Sequence, residues 1–162
     1  MTITPTNPTN PTSPTSPTSP GDEADPAVAA LQTTLAAEHA AVFVYGALGG
    51  QTSQSGSPAL YAAVTSAYAV HRARRDQLTA RVRTVGAVPV AAEPGYALPD
   101  DLGTPAGVAA RARALEESAA ATYAYLVAST TADDRAWAIE ALIDAAVRGL
   151  GFGARPDRLP GI

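Results

Sequence analysis

The 162-residue sequence predicts an all-α fold, a four-helix bundle with one long crossover between the second and third helices. Three observations predict it. Apolar residues recur at steps of three and four in four separate segments, and no segment alternates apolar and polar residues as a strand does. The one long stretch rich in Pro and Gly falls between the second and third of these segments. The length suits one domain with a single core.

The composition argues against several functions. The formal net charge is -4, whereas nucleic-acid binders usually present a clustered basic face, so we expect no nucleic-acid partner. Without Cys, the chain has no disulfide, thiolate metal site or thiol nucleophile. The apolar runs are short and interrupted, and the N-terminus lacks a secretory pattern. These features predict a cytoplasmic protein with no membrane partner.

Residues 1–24 have the composition of a disordered tail. The segment from Ile3 to Pro20 repeats Pro with Thr, Asn and Ser and carries almost no apolar side chain. Such a segment cannot bury enough surface to offset its ordering entropy, and repeated Pro favours an extended chain. We therefore assign the folded bundle to residues 25–152 and a C-terminal coil to residues 153–162.

The first two helices are predicted from their end signals. Asp25, an N-cap acid, precedes a proline, and the first helix should stop at Gly49 and Gly50. The second helix should begin at Pro58 and end before Gly86. The predicted core stripe of the first helix is Val28, Leu31, Leu35, Glu38, Val42, Tyr45 and Gly49. That of the second has heptad spacing and comprises Tyr61, Val64, Tyr68, His71, Arg75, Leu78, Val82 and Val85.

The third helix is predicted to start at Pro105 with Thr104 as its cap, and the fourth to follow Thr131 and run to about Leu150. The stripe of the third helix is Ala109, Ala112, Glu116, Ala119, Tyr123 and Leu126. The inward side chains of the fourth are predicted to be Trp137, Ile139, Leu142, Ile143, Val147 and Leu150.

The segment between the second and third helices, GAVPVAAEPGYALPDDLG (residues 86–103), has too many prolines and glycines to be helical. It reaches about 55–60 Å when extended, and each flanking helix is about 40 Å long. The chain can therefore return along the whole bundle, which makes the second and third helices parallel. One such crossover is the arrangement of ferritin-like bundles.

Four polar residues fall near the middle of the predicted helices. They are Glu38, His71, Glu116 and Glu140, and in a bundle with matched ends they meet at one level. An ionised carboxylate in a core must be paired, bound to a metal or protonated. The sequence does not decide between Glu116 and Glu117 as the inward residue, because one residue rotates a helix by about 100°.

Two arrangements satisfy these carboxylates. In the first, Arg75 supplies a cation, and His71 with the hydroxyls of Tyr68 and Tyr45 completes the hydrogen bonds. In the second, iron or manganese is bound, with oxygen and imidazole ligands that suit these metals. A cation on the core stripe is unfavourable beside a metal ion, so Arg75 favours the first arrangement and no cofactor. The predicted polar cluster is Glu38, His71, Arg75, Glu116 and Tyr68, and the alternative metal ligands are Glu38, His71, Glu116 and Glu140.

Three segments carry a resemblance to a known family: EHAAVFVYG (38–46), HRARRDQL (71–78) and RALEESAAATYAYLVAST (113–130). Over about residues 27–152 the chain resembles a ferritin-like family of unknown function found in high-GC actinobacteria. The resemblance implies two antiparallel helical hairpins and no established activity.

Di-iron members of the wider ferritin-like superfamily carry Glu on the first and third helices and Glu-x-x-His on the second and fourth. Here Glu38, His71, Glu116 and Glu140 match that pattern, whereas Tyr68 and Ile143 stand where a Glu and a His are expected.

Two missing ligands argue against di-iron chemistry, which needs both ions held with open positions. We therefore expect a non-catalytic binding or interaction bundle. The alternative is a metal-dependent oxidoreductase that uses iron or manganese. An unknown protein partner or a homodimer is compatible with the sequence, because Phe43 and Tyr125 lie off the main stripes.

Overall fold

The computed structural model describes residues 25–162, and within this range the chain forms four α-helices and no strand. The helices are α1 (Pro26–Gln51), α2 (Pro58–Thr84), α3 (Pro105–Ser129) and α4 (Ala132–Gly151). The predicted all-α four-helix fold is confirmed. The predicted tail, residues 1–24, lies outside the described residues.

Capping side chains fix the starts of two of the four helices, α1 and α3. Asp25 accepts a hydrogen bond from the backbone N–H of Ala27 (2.9 Å), and Thr104 accepts one from the N–H of Gly107 (3.0 Å). Proline follows the cap of α1, α2 and α3, where its missing N–H costs nothing. The glycine pair predicted to stop α1 lies inside the helix, which continues through both glycines and ends at Gln51.

The helices form two hairpins, α1 with α2 and α3 with α4. Tyr45 near the end of α1 lies against the carbonyl of Ala112 near the start of α3, so these helices are antiparallel. Val64 in α2 shares an apolar cluster with Val108 in α3. The C-terminal parts of α2 and α3 meet in another cluster, so α2 and α3 are parallel, as the crossover predicts.

The crossover between α2 and α3 runs along α1. The amide of Gln32 donates to the carbonyl of Val88 (2.6 Å) and accepts from the N–H of Val90 (2.8 Å). Nε2 of His39 lies 3.2 Å from the carbonyl oxygen of Val90. These side chains replace the hydrogen bonds that the extended backbone cannot make to itself.

Phe43 and Tyr125, which the sequence offers for a dimer contact, have different surroundings. The Phe43 ring lies 5.4 Å from the ring of Tyr96 in the crossover and stays 41% exposed. Tyr125 is 47% exposed. A homodimer through these residues stays a prediction.

The apolar core is divided into layers. One end of the bundle is filled by Val44, Leu48, Val64, Val108 and Phe152. The other is filled by Leu31, Leu35, Leu78, Val82 and Leu126. The polar side chains of mid-helix residues lie between these two layers.

Helix α4 is rotated relative to the sequence-based prediction. Its buried residues are Ala138, Ala141, Ala145 and Gly149. Of the six side chains predicted to face inward, Trp137 and Leu142 are partly buried against the core. The other four are 42–59% exposed, namely Ile139, Ile143, Val147 and Leu150. That prediction is wrong because small residues allow α4 to approach the small residues Ala119 and Ala120 of α3 closely. Close packing here outweighs the size of the apolar side chain.

The short connection between α3 and α4 stores backbone strain. Ala132, the first residue of α4, has φ +48°, which is costly for a residue with a Cβ. We expect Ala132→Gly to raise the free energy of unfolding by about 0.5–1 kcal/mol, because relief of strain exceeds the extra entropy of unfolded glycine. Urea denaturation measures this.

The matched control is Ala136→Gly, one turn further along the exposed side of α4. It should lower the free energy of unfolding by about 1 kcal/mol, as glycine does inside helices. A loss of stability in both variants would contradict the strain at Ala132.

Candidate functional site

A buried polar centre lies at mid-height of the bundle and takes two side chains from each helix. We call this set the polar centre: Glu38 and Tyr45 of α1, His71 and Arg74 of α2, Glu116 and Tyr123 of α3, and Asp144 and Arg148 of α4. His71 and Glu116 are fully buried. The side chain of Asp144 is 50% exposed, so the polar centre reaches solvent at this residue.

His71 lies between two carboxylates. Its Nδ1 is 2.8 Å from Oε2 of Glu38, and its Nε2 is 3.2 Å from Oε1 of Glu116. An ionised carboxylate only accepts hydrogen bonds, so both ring nitrogens act as donors when both glutamates are ionised. The arrangement therefore favours the doubly protonated imidazolium.

The two glutamates are held by tyrosines from each other's helix. Tyr45 of α1 donates its hydroxyl to Oε1 of Glu116 (2.6 Å), and Tyr123 of α3 donates to Oε1 of Glu38. Each tyrosine lies seven residues after a glutamate of its own helix. Because α1 and α3 are antiparallel, this equal spacing brings each tyrosine opposite the other helix's glutamate.

Two arginines continue the hydrogen-bond chain to the surface. Nε of Arg148 donates to Oε1 of Glu116 (2.9 Å), and its NH2 donates to Asp144 (3.0 Å). Asp144 also accepts from Arg74 (2.5 Å), whose guanidinium lies 5.0 Å above the ring of Tyr123. The four helices are thus joined by one continuous set of charge-assisted hydrogen bonds.

The charges of the polar centre stabilise one another. Burial lowers the pKa of His71, but hydrogen bonds to Glu116 and Glu38, with their negative charges, raise it above 6.5. Burial raises the pKa of Glu116, but His71, Arg148 and Tyr45 hold it below its usual value. Burial and the neighbouring glutamates raise the pKa of both Tyr45 and Tyr123, so these hydroxyls remain donors.

One oxygen of Glu116 has no hydrogen-bond partner. Its Oε1 accepts from Tyr45, His71 and Arg148, whereas Oε2 is buried and accepts from no group within the described residues. Most buried polar atoms are paired, so this acceptor is unusual. Its capacity to accept a hydrogen bond is unused within residues 25–162.

The geometry can be set beside known proteins. The model of a family described as "Domain of unknown function (DUF4439)" matches residues 30–162. The chain belongs to this family. It is similar to the crystal structure of a conserved hypothetical protein, rv2844, from Mycobacterium tuberculosis, with 31% identity and a TM-score of 0.73. The similarity covers 81% of this chain and 97% of that chain. No curated protein matches.

The description of the DUF4439 family assigns no activity. The predicted resemblance to a family of unknown function is confirmed. Membership of the ferritin-like superfamily and an actinobacterial origin stay predictions.

The cation of the polar centre is not the predicted one. Arg75 lies beside the buried face of α2 rather than on it. It forms an ion pair with its exposed neighbour Asp76 (2.7 Å). Arg74, one position earlier, is buried instead. The prediction for Arg75 is wrong because residues three and four positions after His71 both stay near the buried face of the helix. The apolar pattern alone therefore allows either Arg74 or Arg75 at the core. Partners on α3 and α4, Tyr123 and Asp144, decide which arginine turns inward.

Two further predicted residues lie away from the polar centre. Tyr68 is half-buried beside Gly46, with the guanidinium of Arg72 5.6 Å from its ring centroid. Glu140 is exposed on α4, because the rotation of that helix turns it outward. Between the two adjacent acids of α3, Glu116 is buried and Glu117 is exposed.

The six-ligand pattern of di-iron proteins is therefore not assembled. Glu140 is exposed, and Ile143, at the position of the second histidine, is exposed as well. His71 is already hydrogen-bonded to both Glu38 and Glu116. Across residues 25–162, no group of three or more His, Asp or Glu side chains is arranged to hold a metal ion.

Several members of the polar centre were missed by sequence reasoning. The sequence pattern places Tyr123 on the core stripe of the third helix, and it assigns no place in the polar centre to Arg74, Asp144 or Arg148. The Glu-x6-Tyr spacing, present at Glu38 and again at Glu116, could have indicated the paired tyrosines. No comparable pattern marks Arg74 or Arg148, because the rotation of α2 and α4 decides their burial.

Stability should depend on pH through His71. Its pKa is raised on folding, so its contribution is fully present below 6.5 and is lost as pH rises through the folded-state pKa. The free energy of unfolding of the protein should therefore decrease from about pH 6.5 upwards. Urea denaturation across this range measures the slope.

His71→Gln cannot titrate, and its stability should be flat over the same range. His39, the other histidine of the chain, lies outside the polar centre beside the carbonyl of Val90. His39→Gln should therefore follow the wild type. Equal slopes in the wild type and His71→Gln would refute the assignment.

On the acid side, Glu116 contributes to the stability of the folded protein because its pKa is lowered on folding. This contribution is fully present above pH 4.5 and is lost as pH falls through the folded-state pKa.

Arg148 and Arg75 form a matched pair of substitutions. Arg148→Met leaves the buried Glu116 without its arginine and should lower the free energy of unfolding by about 3 kcal/mol. Arg75→Met removes a surface ion pair and should cost less than about 1 kcal/mol. Calorimetry or urea denaturation compares them, and a larger cost for Arg75→Met would contradict the structure.

Proposed function

We propose that the chain is a non-catalytic binding bundle of the ferritin-like type, in which the imidazolium of His71 takes the place of a metal centre. The observation that carries this proposal is the position of His71. Each of its ring nitrogens lies within hydrogen-bond distance of a different buried glutamate. A single organic cation thus bridges two carboxylates that could otherwise hold a metal ion.

The charge balance of the polar centre supports the proposal. Its three acids are Glu38, Glu116 and Asp144, and its three cations are protonated His71, Arg74 and Arg148. With His71 protonated, the set is neutral. A divalent metal would add two positive charges beside two buried guanidinium groups, which is unfavourable at low dielectric.

The donor chemistry points the same way. Metal-bound His offers a deprotonated nitrogen, whereas both nitrogens of His71 face acceptors and carry protons in this arrangement. Oε1 of Glu116 already accepts three hydrogen bonds. The residues present do not fit a dinuclear metal site, so we assign no redox step to them.

The polar centre has a positioning role in this proposal. It cannot be satisfied unless all four helices keep one register and one rotation, because its members come two from each helix. Removing one partner of a buried ion pair is costly, which penalises every other arrangement. A rigid bundle of this kind can present a fixed binding surface on its outer helices.

The metal content of the purified protein tests the proposal. After expression without a His-tag in medium supplemented with iron and manganese, plasma mass spectrometry should find much less than one metal ion per chain. Glu38→Gln should give the same low content, since Glu38 bonds His71 and Tyr123 rather than a metal.

A second measurement examines the ring directly. Long-range nitrogen–proton NMR at neutral pH should find both nitrogens of His71 protonated, with His39→Gln used to assign the signals. Stoichiometric iron or manganese that is lost in Glu38→Gln would overturn the proposal and support the oxidoreductase alternative. Oxygen consumption with ferrous iron would then be the next assay.

A further inference from the structure

A cavity of about 600 Å³ lies between α3, α4 and the C-terminal coil. Its size is within the usual range of small-molecule sites. The coil stays close to α3 because Gly161, with φ +84°, packs against the backbone of Ala120. A Cβ at Gly161 would lie 2.4 Å from the Ala120 carbonyl oxygen, so this contact requires glycine. The cavity is therefore formed by a docked segment.

The wall of the cavity explains the exposed apolar residues of α4. Three of them, Ile143, Val147 and Leu150, line it together with small residues such as Ala146. Large apolar side chains in a concave surface are typical of ligand sites. The rotation that buries the small face of α4 thus turns its large side chains towards this cavity.

Glu116 connects the cavity with the polar centre. It is one of the lining residues, and its Oε2 is the buried acceptor that has no partner within the described residues. Because Glu116 is part of this wall, a ligand group that packs against it is within about one side-chain length of Oε2. His71 and Arg148 contact the other oxygen, Oε1, and leave Oε2 available.

We propose that this cavity binds a small apolar molecule that carries an ammonium group, with the ammonium donating to Oε2 of Glu116 and the apolar part packing against α4. The inference rests on the proposed function, in which the polar centre holds no metal. It adds the location of the binding site and the chemical class of the ligand.

The charges that line the cavity favour an ammonium group over a neutral hydrogen-bond donor. An ammonium adds half the charge of a divalent metal, and it meets Glu116 at Oε2, the oxygen that His71 and Arg148 do not contact. Outside it, the charged lining residues are Glu117, Asp157 and Arg155, which leave one net negative charge. A charge-assisted hydrogen bond to a carboxylate is stronger than a neutral one, and an anion would be repelled.

Three probes of one shape test this choice: 4-fluorobenzylamine, 4-fluorobenzyl alcohol and 4-fluorobenzoate. Fluorine NMR titration of the full chain at neutral pH gives the affinity of each. We expect the amine to bind about tenfold more tightly than the alcohol, from the stronger hydrogen bond, and the benzoate not to bind.

Two substitutions on α4 locate the site. Ala146→Leu places bulk inside the cavity and should weaken amine binding at least about tenfold, whereas Ala136→Leu lies on the same helix outside the cavity and should leave it unchanged. Glu116→Gln should remove the preference of the amine over the alcohol, provided that circular dichroism finds the variant folded. If it is not folded, the Ala146→Leu pair decides the location and the three probes decide the chemistry.

No binding of the amine, equal binding of all three probes, or equal affinity in Ala146→Leu and Ala136→Leu would overturn this inference. Such an outcome differs from failure of the proposed function, which is read from the metal content. A metal-free protein that ignores the amine keeps the first proposal and loses the second. A protein with stoichiometric metal loses both.

Discussion

The contact of the His71 imidazole with the buried carboxylates of Glu38 and Glu116 is the interaction on which the rest of the structure depends. Two carboxylates in an apolar bundle repel each other and lose their hydration, so the fold requires a cation between them. The tyrosines of α1 and α3 and the arginines of α2 and α4 then complete the hydrogen bonds. Because the set draws on every helix, satisfying it fixes the helices relative to one another.

That requirement accounts for the surface as well as the interior. Asp144 and Arg148 can contact the polar centre when the small residues of α4 face α3, and this rotation leaves the large apolar residues of α4 outside. The inner polar contacts and the outer apolar wall are thus two results of one rotation. The cavity under the C-terminal coil gives those exposed residues a role that core packing does not.

The contrast with di-iron bundles concerns what carries the positive charge. A metal site needs deprotonated ligands and open coordination positions, whereas here protonated nitrogen and guanidinium groups donate to the same kind of carboxylates. Among the described residues, Oε2 of Glu116 accepts no hydrogen bond, and Glu116 is one of the residues that line the cavity.

The sequence by itself determined the four helices, the capping residues Asp25 and Thr104, the long crossover, and the meeting of Glu38 and His71 with an acid of the third helix. These follow from periodicity and local end signals, which depend on neighbours along the chain. Tertiary structure decided that Arg74 rather than Arg75 is buried and that the alanine face of α4 is inside. The physical reason is that one residue turns a helix by about 100°, and several phasings satisfy the same apolar pattern. Close packing of small residues and pairing of charges across helices select among those phasings, and both arise from contacts between helices that the order of residues within one helix does not contain.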